Sequence, residues 1–149
     1  MAGKPSPLGY TFRMADNPLA GSPFSQLVGL KVVESSQGRA VLSLEITDQL
    51  KNRRGDAHGG VTTTLLDAAL SEACRSHQDD WTSEGTVTLN VQFIEPARGT
   101  LLAEGRLLRA GRTLAFVEGE VRDERGALVA KATATIKIER RRTGQGKGG

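Results

Sequence analysis

The sequence predicts an α+β domain in which one long antiparallel sheet wraps a single buried helix, and three observations predict it. Two stretches, residues 39–46 and the chain from 86 to 138, alternate apolar and polar side chains with a period of two. One stretch, residues 59–76, carries apolar residues on nearly every side of a helical wheel, the pattern of a helix buried all round. The turns between consecutive strands are short, which makes sequential strands antiparallel neighbours. A sheet with one apolar face and a helix with almost no polar face both become buried if the sheet curls around the helix.

The elements follow in order. Residues 1–21 form an irregular N-terminal arm, with Gly3, Pro5, Pro7 and Gly9 and little periodicity. Ser22 is an N-cap, Pro23 a first-turn proline, and Phe24, Leu27 and Val28 one apolar face, with Gly29 as the stop, so a short helix is expected there. Ala40, Leu42, Leu44 and Ile46 point one way and Val41, Ser43 and Glu45 the other, giving a strand at 39–46 with a shorter partner at 31–35 across Ser36-Gln37-Gly38. The buried helix holds Val61, Leu65, Leu66, Ala68, Ala69, Leu70, Ala73 and Cys74, and a polar loop at 77–85 ends it. In the next strand Val87, Leu89, Val91 and Phe93 share a face, with Thr86, Thr88, Asn90 and Gln92 opposite, until Glu95-Pro96-Ala97-Arg98-Gly99 turns the chain. Strands at 101–108, 113–121 and 128–138 complete the sheet, joined through Ala110-Gly111 and Asp123-Glu124-Arg125-Gly126. The folded domain is thus expected at 22–138, without internal repeats or heptads.

At 149 residues the chain accommodates one ordinary core. Four Phe, one Tyr and one Trp leave that core to aliphatic side chains. The net charge of +3 comes from residues 139–149, which hold Arg140, Arg141, Arg142 and Lys147 against Glu139; the rest is neutral, with 16 basic and 16 acidic residues. That segment buries no apolar surface, so it reads as a disordered basic tail. Such a tail is compatible with nucleic acid or an anionic membrane, but a solvated tail on a neutral body is the simpler reading, and neither partner is expected. Cys74 is the single cysteine, which excludes an intrachain disulfide and a cysteine metal cluster and fits a reducing, cytoplasmic setting. No apolar h-region in residues 1–20 and no run of some eighteen apolar residues predict secretion or a membrane span.

The chemistry is concentrated between residues 52 and 67. Asn52-Arg53-Arg54-Gly55-Asp56-Ala57-His58-Gly59-Gly60 is a loop by composition that runs straight into the buried helix. Two glycines at a helix start let another group approach the backbone closely, where free N–H donors and the positive end of the helix dipole favour developing negative charge. A plain glycine loop would look the same. Asp67, within Leu65-Leu66-Asp67-Ala68-Ala69-Leu70, places a carboxylate where burial is costly unless it is hydrogen-bonded or used; a structural Asp is the alternative. Eight residues of helix separate Gly59 from Asp67, a rise of about 12 Å, too far for both to touch one reacting carbon. If both act on one group, the Asp comes from a second copy whose helix runs antiparallel, as a two-fold dimer provides. HExxH, G-x-S-x-G and P-loop motifs are absent, and Cys74 has no paired His. His77-Gln78-Asp79-Asp80 reads as a polar loop rather than a metal site.

The combination Asn52-x-x-Gly55-x-x-His58-Gly59-Gly60, Thr64-Leu65-Leu66-Asp67 and Thr86-Val-Thr-Leu-Asn90-Val-Gln-Phe93-x-x-Pro96-Ala97 resembles the phenylacetic-acid-degradation thioesterase group of the hotdog superfamily, from about Phe24 to Ile138. The resemblance implies hydrolysis of an acyl-CoA thioester. It matches Gly59 to the residue whose N–H polarises the thioester carbonyl, and Asp67 of the partner copy to the carboxylate that acts as nucleophile or as general base on water. It matches Asn52 to a polar residue holding the carbonyl or the water, and Thr86 to a Ser or Thr assisting the water. His58 reads as a loop-organising residue rather than a base, and Gly60 as part of the substrate-binding turn. Arg53, Arg54, Arg109 and Arg112 become candidates for the phosphates of coenzyme A, Arg112 first among them. A thioester is already activated, so a carboxylate and an N–H donor suffice, and no metal or cofactor is implied. Relatives commonly pair dimers into tetramers through their sheets. Two rivals remain: a hydratase or dehydratase, against which Asp16-Asn17-Pro18 is followed by Leu19 and Ala20 where that motif needs a His, and a non-catalytic acyl-CoA sensor, which could dispense with Asp67.

Overall fold

A computed structural model describes residues 22–78 and 81–140, apart from the side chains of Thr82 and Glu84. The expected N-terminal arm with its Asp16-Asn17-Pro18, the residues Asp79 and Asp80, and the tail beyond Arg140 lie outside the described residues.

The short helix α1 (Pro23–Val28) forms as its sequence dictates: the Ser22 hydroxyl accepts from the Ser25 N–H, and Gly29 closes the helix in the left-handed conformation. Six strands follow, β1 (Lys31–Ser36), β2 (Arg39–Glu45), β3 (Trp81–Phe93), β4 (Thr100–Ala110), β5 (Leu114–Arg122) and β6 (Leu128–Arg140), with the long helix α2 (Gly59–Arg75) between β2 and β3. They form one antiparallel sheet in the order β1-β2-β4-β5-β6-β3, and α2 packs against every strand. The α+β layout and the sheet wrapped on one helix are as expected.

The core lies between sheet and helix. Leu42 and Leu44 from β2, Leu101 from β4, Val117 from β5 and Ile136 from β6 converge on Leu65, Leu66, Ala69 and Leu70 of α2, all buried. Two glycines set how closely the helix can lie. Gly105 and Gly119 face one another across β4 and β5, and a Cβ on Gly105 would stand 2.5 Å from the Ala69 carbonyl oxygen.

Three expectations are corrected. The loop at 77–85 is shorter, because β3 already begins at Trp81, whose ring is buried beside His77 and beneath Arg140. Glu139 and Arg140, expected in the tail, belong to the sheet, because β6 runs to Arg140 and pairs both residues with the start of β3. The strict alternation of β3 fails at Val87. A bulge there leaves Thr86 opposite Ile136 and Thr88 opposite Thr135, so Thr86 turns to the helix side with Leu89 and Val91 while Val87 is 58% exposed. Apolar burial also continues on the outer face, where Val33, Val41 and Leu102 form a separate small cluster.

Candidate active site

The loop before α2 is built by Asn52. Its side-chain oxygen accepts from the N–H groups of Arg54 and Asp56, and its amide nitrogen reaches the Ala57 carbonyl at 3.5 Å. Asn52 therefore organises the loop, and only the second hydrogen of its amide remains for another partner. Asp56 is buried, held by Arg98 at 2.6 Å, and the Ala57 N–H donates to the Ala97 carbonyl, fixing the loop against the turn after β3.

His58 caps α2. Its Nδ1 accepts from the Gly60 N–H at 2.9 Å, a bond open only to a ring that carries no proton on Nδ1. Gly59, the first helical residue, differs: its N–H has no acceptor among the described residues. A Cβ on Gly59 would meet the Phe93 ring at 3.4 Å, so Phe93 forms the wall beside this donor. Phe93 was expected with the apolar face of its strand; it is 59% exposed and borders the site, and only the fold reveals that position.

Two clefts adjoin at Asn52 and Arg54, which line both. One, of 430 Å³, is bounded by Ala57, Gly59, Thr62, Phe93, Pro96 and Val129 among others and is largely apolar. The other, of 610 Å³, is lined by Lys51, Asn52, Arg53, Arg54 and His58. Arg53 and Arg54 thus stand together at the same helix end as Gly59, and Lys51, overlooked in the sequence because it precedes the motif, joins them.

Asp67 is half-buried one helix segment away. Its Oδ1 accepts from the Thr86 hydroxyl at 2.6 Å, a contact that exists because of the bulge at Val87. Since α2 is continuous from Gly59 to Arg75, Asp67 lies about 12 Å along the axis from Gly59. One copy does not bring Gly59 and Asp67 together. Nor does it bring Arg109 and Arg112 to Gly59: Ala110 pairs with Ala115, which stands level with Ile136 and Thr86, whereas Gly59 lies at the Phe93 and Val129 end of the sheet.

Cys74 is fully buried, and burial pushes its thiol up to about 11, so it carries no nucleophilic thiolate at neutral pH. Among the described residues no three His, Cys, Asp or Glu side chains are grouped to hold a metal ion, and no helix is long and apolar enough to cross a membrane.

Comparison with known proteins bears on the family and the fold. Residues 54–130, about half of the chain, match the model of the Thioesterase superfamily. A medium/long-chain acyl-CoA thioesterase of Salmonella typhimurium is 28% identical over 132 residues, covering 78% of this chain and 85% of that protein. The structure of a conserved protein from Pseudomonas aeruginosa is 36% identical and superposes with a TM-score of 0.75 over 79% of this chain and 94% of its own. The PaaI protein from the phenylacetic acid degradation operon of E. coli, 21% identical, shares the fold with a TM-score of 0.73 over 80% of this chain and 85% of its own. The chain belongs to the thioesterase superfamily, and its six-stranded sheet around one helix is the hotdog fold of a thioester hydrolase.

Proposed function

We propose that this protein hydrolyses acyl-CoA thioesters to the free acid and coenzyme A at a site shared by two copies, Gly59 coming from one and Asp67 from the other. The observation that carries the reading is the Gly59 N–H at the start of α2, without an acceptor among the described residues, at the wall of the apolar cleft that adjoins the cationic one. The thioester oxygen accepts from that N–H, and the positive helix end stabilises the charge that develops on it. Asp67 of the second copy takes a proton from water as the water adds to the carbonyl carbon, and gives that proton to the thiolate as the C–S bond breaks. In the nucleophilic variant the carboxylate itself adds, the C–S bond breaks, the thiolate takes a proton from solvent, and water then hydrolyses the mixed anhydride to release the free acid and restore Asp67. Thr86 supports either role, since its bond to Oδ1 fixes the carboxylate and leaves Oδ2 for the reaction.

The cationic cleft of Lys51, Arg53 and Arg54 suits the phosphates of coenzyme A. The apolar cleft suits the acyl group, aliphatic as the name of the Salmonella relative says of that protein, or aromatic as for the 1,4-dihydroxy-2-naphthoyl-CoA hydrolase of Listeria monocytogenes, 25% identical to this chain. Arg109 and Arg112 act at this site only from the second copy. Dimerisation is supported by β3, a 13-residue strand at the edge of the sheet with β6 as its one neighbour. The exposed Leu108, Leu114 and Phe116 support a second interface and hence a tetramer. With its lone thiol buried, the protein suits the cytoplasm.

Gly59→Pro tests the reading. Proline is favoured at a first helical position, and His58 already has the extended backbone that must precede it, so the helix survives while the donor is lost. Thiol release from decanoyl-CoA should fall about 10²–10³-fold in kcat, while Gly59→Ala, which keeps the N–H, should fall far less. Mixing Gly59→Pro with Asp67→Asn protein should restore up to about a quarter of wild-type activity, because each mixed dimer contains one intact site. No recovery despite proven subunit exchange rejects the shared site.

A further inference from the structure

We infer that His58 is a positioning residue whose neutral imidazole, by capping α2, holds the Gly59 donor in place and lets a proton disable the site. The inference rests on the thioesterase reading above. Helix N-caps are usually Ser, Thr, Asp or Asn, whose oxygen remains an acceptor at neutral pH. Here the acceptor is an imidazole nitrogen, which exists only in the neutral ring. The fit between ring and turn agrees with that bond: a Cβ on Gly60 would lie 3.0 Å from His58 Nδ1 and 3.3 Å from Cε1, so the imidazole is seated closely on Gly60 and a larger residue there displaces the ring. With Gly60 bound to the ring, the neighbouring Gly59 N–H is left directed outward without an acceptor.

Protonation places an N–H on Nδ1 facing the Gly60 N–H. Two donors then oppose each other, the ring must turn away, and the first turn that presents Gly59 loosens. The charged groups lining the cleft with His58 are Lys51, Arg53 and Arg54; the nearest carboxylates are turned to these cations, Asp48 to Lys51 at 2.6 Å and Asp56 to Arg54 at 3.8 Å and to Arg98 at 2.6 Å, and among the described residues none lines the cleft. The imidazole neither attacks nor accepts the substrate's proton; it acts through Gly60 on Gly59.

The test compares wild type, His58→Asn and His58→Ala in decanoyl-CoA hydrolysis from about pH 5 to about pH 8. Alanine offers no acceptor and should lower kcat roughly tenfold at neutral pH with KM little changed. Asparagine offers an amide oxygen that does not titrate, should restore kcat to within about threefold of wild type, and should move the acid-side fall of kcat to lower pH. Equal losses in Asn and Ala, full activity in Ala, or an unmoved acid limb in Asn overturns the inference. An NMR titration decides capping without turnover. The Gly60 amide should shift with the His58 ring at one shared midpoint in wild type and lose that transition in His58→Asn; an indifferent Gly60 amide overturns the cap. If wild type releases no thiol from decanoyl-CoA or phenylacetyl-CoA, the hydrolase reading fails, and the NMR result still stands or falls alone.

Discussion

The two ends of α2 are made of the same helix and buried by the same sheet, yet they treat their polar groups in opposite ways. At the C-terminal end Glu72 is buried and fully engaged: Ser35 donates to one carboxylate oxygen, and Arg75 donates to both. Ser76 accepts from the Gly38 N–H and donates to the Ala73 carbonyl, tying the helix end to the β1–β2 turn. At the N-terminal end His58 satisfies Gly60 and leaves Gly59 with a free donor beside two clefts. A buried polar group is costly unless paired, so the engagement of Glu72 serves stability, whereas the donor left at Gly59 fits the proposed role of receiving the thioester oxygen. Asp67 lies between them, half-buried and bound by a single hydroxyl, with one oxygen left for chemistry.

Substitutions can break this contrast. The largest effect is expected from Asp67→Asn, which keeps the shape and the Thr86 contact but removes the base: kcat for acyl-CoA hydrolysis should drop about 10²–10⁴-fold with the melting temperature little changed. A drop in stability without a drop in kcat would move Asp67 into the structural class with Glu72. The converse experiment is Glu72→Ala. It orphans the Ser35 hydroxyl and frees Arg75, which is half-exposed and can reach water, so stability in urea should fall by about 1–3 kcal/mol while kcat of the folded protein stays near wild type. A selective loss of kcat there would erase the distinction between the two ends. The smallest effect is expected from Cys74→Ala. With its buried thiol held protonated, Cys74 should resist iodoacetamide in the native state, and the variant should turn over at the wild-type rate.

Much of the candidate site was legible before folding. The glycine pair opening a helix and the carboxylate inside an apolar run are local signals, and the distance between them along a helix already implied that, if both act on one group, a second copy supplies the carboxylate. Other features were hidden for physical reasons. Thr86 reads as an outward residue under strict alternation, and only the bulge turns it toward Asp67. Phe93 reads as core, but it sits at the end of an edge strand, where its ring lies over Gly59 rather than within the helix–sheet interior. Asn52 carries the right chemistry for a substrate contact, yet most of its capacity goes to the turn it closes. Grouping four arginines as phosphate candidates obscured that Arg53 and Arg54 stand at one end of the sheet and Arg109 and Arg112 toward the other.

What the sequence determined by itself is what depends on neighbours along the chain: the period of two, the helix apolar on all sides, the cap and stop of α1, and the loop that delivers Gly59. Tertiary structure alone decided the strand order β1-β2-β4-β5-β6-β3, the closeness of helix to sheet at Gly105 and Gly119, and the bond between Thr86 and Asp67. Those features join residues far apart in the chain, such as Gly105 with Ala69, and their energy comes from contacts made only when the sheet closes on the helix.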